Sequence, residues 1–235
     1  MSGESGTLPR MGARWSATVR AGIDLVVPRE CGGCGAASVA WCARCAEALA
    51  QPPRAVRPAV TVGVPCFALG SYAGPHRAAV VAAKERGRRD LAVPLGRALA
   101  DAIAQLRDAG DLDPAELNPL VLVPAPSRRR AARRRGGDPV VRLCTAASAA
   151  SAPEVVSVAR VLEVDGGVRD SVGLSAAQRA ENLAGRIGVR ARAPRGPVVL
   201  VDDVLTTGTT AAESVAALRR AGVGVDAVVV IGAVR

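Results

Sequence analysis

Val198-Val199-Leu200-Val201-Asp202-Asp203-Val204-Leu205-Thr206-Thr207-Gly208-Thr209-Thr210 joins an apolar run, a carboxylate pair and a turn of small residues without a break. Residues 198–201 are too few for a helix and rich in β-branching, so they predict a strand covered on both faces of a parallel sheet. Open α/β sheets bind ligands beyond the carboxyl ends of their strands, and there Asp202 and Asp203 can accept hydrogen bonds from two vicinal ribose hydroxyls or reach a hydrated Mg²⁺. The turn Thr206, Thr207, Gly208, Thr209 and Thr210 offers backbone N–H groups that can close around a phosphate where the next helix begins. Ala211, Val215 and Leu218 recur at i, i+4 and i+7 in that helix, Arg219 and Arg220 fall in its last turn, and Gly222 ends it. This order of parts predicts a sugar-phosphate site. The plainer alternative is a strand–turn–helix with solvated acids and threonines that cap a helix.

Other phosphate motifs fail on the same residues. No P-loop lysine follows a glycine-flanked gap, and no G-x-G-x-x-G follows a first strand. The segment instead resembles the 5-phosphoribosyl-1-pyrophosphate (PRPP) signature of type I phosphoribosyltransferases: four apolar residues, two acids, two apolar residues, then Thr-Thr-Gly-x-Thr.

Composition limits what surrounds this segment. A chain of 235 residues, 49% hydrophobic, can bury one substantial core beside a small accessory module. Neither an apolar leader nor about 20 consecutive apolar residues occur, which predicts a soluble, cytoplasmic protein with no membrane partner. Its aromatic residues are Trp15, Trp41, Phe67 and Tyr72. So few stacking platforms argue against reading single-stranded bases.

Six cysteines divide into four with a pattern and two without. Cys31 and Cys34, then Cys42 and Cys45, form two C-x₂-C pairs that read as a tetrahedral Zn²⁺ site. Four thiolates fill the coordination shell, so such a metal is structural, holding a ribbon too short to build a core. A disulfide or redox pair is the competing reading, disfavoured in a reducing compartment. Cys66 and Cys144 stand in apolar surroundings and read as core packing.

The formal charge is +10, and all but one of the 31 basic residues are arginine. Arg128, Arg129, Arg130, Arg133, Arg134 and Arg135 cluster densely enough to attract a polyanion, though a solvated helix face explains them as well.

Elsewhere the pattern alternates between strand and helix. Residues 1–14 lack an apolar period; Trp15, Val19, Ile23 and Val26 then mark a short amphipathic helix. A proline-rich linker at 51–58 is followed by a strand at 64–72 and a helix from Gly74 that carries His76, Arg77, Val80, Val81 and Lys84. His76 is placed at the surface. Leu91, Leu95, Leu99, Ile103 and Leu106 form one helix face, and 111–118 a loop. Strands at 120–123, 155–158 and 225–231 complete a β/α alternation that predicts a parallel sheet. Ser175-Ala-Ala-Gln178 is a capping box that starts a helix with Arg179, Asn182 and Arg186 on one face.

Taken in order, the paired cysteines, Tyr72-x-Gly74-x-x-Arg77 leading to Lys84, Val123-Pro124-Ala125-Pro126 with its arginine-rich sequel ending at Gly136, Leu174-Ser175-x-x-x-Arg179-x-x-Asn182 and the 198–210 signature resemble the ComF family over roughly residues 22–235. The resemblance implies a type I phosphoribosyltransferase fold, a mainly parallel sheet flanked by helices with a small N-terminal zinc ribbon. The expected divisions are a start and short helix at 1–27, the ribbon at 28–50, a linker and hood at 51–117 and the core at 118–235. It further implies PRPP binding with Mg²⁺, transfer to a nucleobase-like acceptor that the sequence does not name and, in some members, single-stranded DNA or a competence helicase as partners. Oligomeric state stays open.

By resemblance, Thr206, Thr207, Gly208, Thr209 and Thr210 hold the 5-phosphate and Asp202 and Asp203 the ribose hydroxyls. Ala125, Pro126, Ser127 and Arg128 form the pyrophosphate loop, and Arg128 steadies the leaving group. Arg179 and Asn182 face PRPP or the acceptor. Lys84 is either a phosphate-binding cation or a surface ammonium. The chain departs from the family at Gly137-Asp138-Pro139, where a bulky apolar residue and Asn-Gln are usual, and at Ser171, where glutamine is common. Two further readings are a regulator that senses PRPP without turnover and a DNA-handling adaptor that uses the 128–135 patch.

Overall fold

In chain order the helices are α1 (Ala43–Leu49), α2 (Gly74–Glu85), α3 (Ala92–Asp108, entered through a 3₁₀ turn at Arg89–Leu91), α4 (Pro139–Ala150) and α5 (Thr209–Arg220). The strands are β1 (Arg54–Ala55), β2 (Cys66–Ala68), β3 (Leu120–Pro124), β4 (Val156–Val158), β5 (Leu162–Val164), β6 (Ile187–Val189), β7 (Val198–Leu205) and β8 (Ala227–Ala233). The structure is a computed structural model that describes residues 30–127, 137–165, 185–192 and 194–234. The expected helix after Trp15, the 128–135 arginine cluster, Ser171, Arg179 and Asn182 lie outside these residues.

One sheet runs β1-β2-β8-β7-β3-β4; β1 is antiparallel to β2 and every other pairing is parallel. The chain is therefore α/β with a mostly parallel mixed sheet. β5 and β6 form a separate antiparallel pair. Apolar runs decide the layering. On β7, Val199 and Val201 join the core under α2, α3 and α4, whereas Val198 and Leu200 face the core under α5. All four are fully buried. Each such side chain contributes roughly 1.5–3 kcal/mol relative to an exposed one, which is why this strand sits mid-sheet.

Three elements differ from the sequence expectation. β7 extends to Leu205, because β8 continues alongside it and pairs Val204 with Gly232 and Leu205 with Ala233. The acid pair thus lies within the strand rather than after it. The expected strand at 64–72 is ordered as β over Cys66–Ala68 alone. His76 is half-buried, its ring packed over Gly70, and its Nε2 has no hydrogen-bond partner among the described residues. Burial pushes the imidazole pKa down, against the Leu69 backbone, which favours the charged form. Cys66 and Cys144 are buried as expected, and burial pushes the Cys66 thiol up to about 11.

Connections set the crevice. From β3 the chain passes through α4 to β4 on one side, and from β7 through α5 to β8 on the other. Strand order therefore reverses between β3 and β7, the place where open α/β sheets bind ligands.

Candidate functional site

The crevice brings together the carboxyl ends of β3 and β7. Pro124 pairs with Val201, and Ala125 N–H donates to the Val201 carbonyl at 2.7 Å, so the 125–127 loop begins beside Asp202. Alternation along β7 slips by one residue across the acids: past them Val204 packs on the α2–α4 side and Leu205 on the α5 side. The Asp203 N–H donates to Asp202 Oδ1 at 2.8 Å. The two carboxyls are thereby held as neighbours instead of being sent cleanly to opposite faces, as an unbroken pleat would do.

Their electrostatics follow. Burial, and next the Asp203 charge, push the Asp202 carboxyl up to about 8, although Lys84 and the Asp203 N–H work in the opposite sense. Asp203 instead meets a counter-charge, with Lys84 Nζ 2.8 Å from its Oδ2. The sequence leaves Lys84 as either a phosphate-binding cation or a surface ammonium; α2 brings it to the acid pair. A carboxyl in the position of Asp202 gains most from an added cation or from hydroxyl donors.

Thr206–Thr210 follow at once. Gly208 adopts φ 89° as the residue before α5, a left-handed conformation that glycine takes without strain, and among the described residues no side chain caps this helix. Among the described residues the first N–H groups of α5 thus lack a side-chain cap, the arrangement that favours anions. Thr209 is buried, and its hydroxyl lies 3.0 Å from that of Thr207. One contact was not legible in the sequence: the linker straps the turn. Val60 N–H donates to the Thr207 carbonyl at 2.8 Å, and a Cβ on Gly208 would stand 2.7 Å from Pro58 Cβ. Arg219 of α5 reaches back to the Gly63 carbonyl at 2.8 Å and holds the strap's far end.

Asp138 was noted in the sequence only as a departure from a family pattern. Its carboxylate caps α4, accepting from Val140 N–H at 2.9 Å, and also accepts the Ser127 hydroxyl. An acid before Pro139 is a recognisable N-cap with proline at the first helical position, so the cap was readable; the tie to Ser127 was not. Arg128, Arg179 and Asn182 fall outside the described residues, so the structure brings together Ala125, Pro126, Ser127, Lys84, Asp202, Asp203 and 206–210 alone.

Cys31, Cys34, Cys42 and Cys45 form a second cluster, with all sulfurs within 4.8 Å of one another. Cys31 Sγ lies 3.7 Å from Cys45 Sγ, and Cys34 Sγ 3.6 Å from Cys42 Sγ. A tetrahedral zinc with Zn–S bonds of about 2.3 Å requires edges of about 3.8 Å, so the sulfurs could hold a metal such as zinc. Burial opposes the Cys31 thiolate, yet the Cys34, Cys42 and Gly33 backbones bring it down to about 6. Gly33 packs where any Cβ would come 2.6 Å from Cys45 Sγ. The module docks through Arg88, which donates to the Glu30 and Ala40 carbonyls.

No protein-family model matches the chain, and no curated protein matches it. Among the described residues, no helix is long and apolar enough to cross a membrane.

Proposed function

We propose that this protein is a ComF-type, type I phosphoribosyltransferase-fold protein that binds PRPP at the β3–β7 crevice and transfers its phosphoribosyl group to a nucleobase-like acceptor, releasing pyrophosphate. The observation that carries this reading is the meeting of the Asp202–Asp203 pair and the uncapped start of α5 at the strand-order reversal. Each part answers one portion of the ligand. The 5-phosphate accepts N–H groups from 206–210, the ribose hydroxyls donate to Asp202 and Asp203, and the diphosphate lies toward Ala125, Pro126 and Ser127 with Arg128.

The reaction breaks the bond from ribose C1 to the pyrophosphate oxygen, whose electron pair leaves with pyrophosphate; an acceptor nitrogen then forms the new bond at C1. Because the sugar passes through an oxocarbenium-like state, the protein needs no nucleophile of its own and contributes by alignment and charge stabilisation. Asp202 and Asp203 are the residues that would reach Mg²⁺ through its water shell, and the ion would supply charge neutralisation on the phosphates. In this reading Zn²⁺ on the four cysteines is structural, and thiolates of this kind persist in the reducing cytoplasm.

Calorimetry of PRPP with Mg²⁺ against wild type and the Asp202→Asn/Asp203→Asn double variant tests the site. Wild type should bind and the variant should not. Equal binding by both removes the acids from the site, and pyrophosphate release with a panel of nucleobases separates turnover from binding alone.

A further inference from the structure

Two carboxyls held side by side, with the Asp203 N–H donating to Asp202 Oδ1 at 2.8 Å, would ordinarily draw a divalent cation, because an added positive charge relieves the repulsion between them. Here that place is already taken. Lys84 Nζ lies 2.8 Å from Asp203 Oδ2, and its charge also acts on Asp202, so one ammonium serves both acids. An ammonium is a compact point charge and can hold the position on a carboxylate oxygen that a metal ion would hold.

The placement of Lys84 is set by α2. Ala79, Val80 and Ala82 anchor that helix in the core. Ahead of the helix, Tyr72 N–H donates to the Ala233 carbonyl at 2.7 Å and Ala233 N–H to the Gly70 carbonyl at 3.0 Å, which ties the approach to the end of β8. Beyond it, Arg88 N–H donates to the Ala82 carbonyl at 3.1 Å, while the Arg88 guanidinium donates to the Glu30 and Ala40 carbonyls. A helix pinned at both ends presents its last-turn cation to one place, and the helix dipole favours a cation there.

The same ammonium acts oppositely on two forms of a metal. A bare divalent ion is repelled and must displace Lys84 from Asp203, whereas a metal already bound to a diphosphate carries net negative charge and is attracted. We propose that Lys84 is a resident counter-cation that excludes a bare divalent ion from the Asp202–Asp203 pair. Only the consequence, that metal enters with its phosphate ligand, rests on the PRPP reading; the exclusion is tested with metal alone, so its failure and a failure of PRPP binding are separate results.

Titration of the zinc-loaded full chain with Mn²⁺ near neutral pH, followed by the electron paramagnetic resonance of the free ion, is the test; a hard ion of this kind does not compete for thiolates. Wild type should bind Mn²⁺ no more tightly than Asp203→Asn does. Lys84→Met should bind it roughly tenfold or more tightly than wild type, and adding Asp203→Asn should abolish that gain. Arg77→Met, two turns earlier on the same face of α2, controls for loss of positive charge at a distance and should leave Mn²⁺ binding unchanged. Lys84 is 40% exposed, so its replacement should leave the fold intact, as circular dichroism will show. Wild-type binding that Asp203→Asn weakens overturns the proposal, since the pair then takes metal with Lys84 in place. So does a Lys84→Met protein without the gain, or a gain that survives Asp203→Asn or that Arg77→Met reproduces.

Discussion

Lys84 Nζ lies 2.8 Å from Asp203 Oδ2, so the last turn of α2 supplies the counter-charge to one member of the β7 acid pair while the other member stays crowded. Lys84 is 40% exposed, and a pair this open contributes under about 1 kcal/mol to stability. Its larger effect falls on Asp202, which burial and the Asp203 charge hold up near 8 and which Lys84 draws down. A carboxyl raised in the folded state binds a proton that the unfolded chain releases, so its contribution is favourable at low pH and is lost as pH climbs from about 4 to about 8. Asp202→Asn should therefore gain stability over wild type progressively through that window, with the two alike near pH 4. Lys84→Gln should move the upper end of the window further up. Thermal unfolding across pH 4.5–9 checks both; a wild-type advantage that grows with pH would contradict the raised carboxyl.

Gly208 ties the strap to the turn. At φ 89° an alanine is strained by roughly 1–2 kcal/mol, and its Cβ would also stand 3.0 Å from the Val60 carbonyl oxygen, a backbone atom that cannot swing aside. Gly208→Ala should cost about 2–4 kcal/mol in urea unfolding, strain and overpacking together. Removing the facing Cβ and ring with Pro58→Gly should recover only the Pro58 part of the steric cost in the double variant, and PRPP affinity should track the turn rather than the strap.

How legible this was in the sequence depends on range. Val198–Val201, Leu120–Val123 and the Leu95, Leu99, Ile103 face announced themselves by local period, and all are buried where expected. The cysteine spacing fixed its own cluster, since four sulfurs separated by short turns have few other ways to meet. Contacts between distant residues were not legible. Pro58 over Gly208 and Lys84 on Asp203 depend on how the linker and α2 lie across the sheet ends, which no local pattern encodes. His76 misled because a helix start is usually exposed, while here α2 packs against the end of β2. The length of β7 was set by its neighbour β8.

Cys45 is wholly buried and contacts both Gly33 and Cys31. Cys45→Ser should abolish the metal, expected at one zinc per chain in the wild type by elemental analysis. Because ligation energy is folding energy in such modules, loss should lower the melting temperature by several degrees and loosen Arg88 from the Glu30 and Ala40 carbonyls. Cys66→Ser, away from the cluster, should keep its zinc.

Ser127 and Asp138 hold the two ends of the segment that carries the arginine cluster. Asp138 serves twice, capping α4 through Val140 and Val141 and accepting the Ser127 hydroxyl. Ser127→Ala removes only the second contact; Asp138→Ala removes both, with about 1 kcal/mol lost from the cap. Ser127→Ala should thus leave unfolding within about 0.5 kcal/mol of wild type while weakening PRPP, because the loop beside Asp202 loses its anchor. Asp138→Ala should weaken both, and Asp138→Asn should restore the cap. Paired urea titrations and calorimetry separate these effects, and a Ser127→Ala protein that binds PRPP as tightly as wild type would show that the loop after β3 takes no part in holding the ligand.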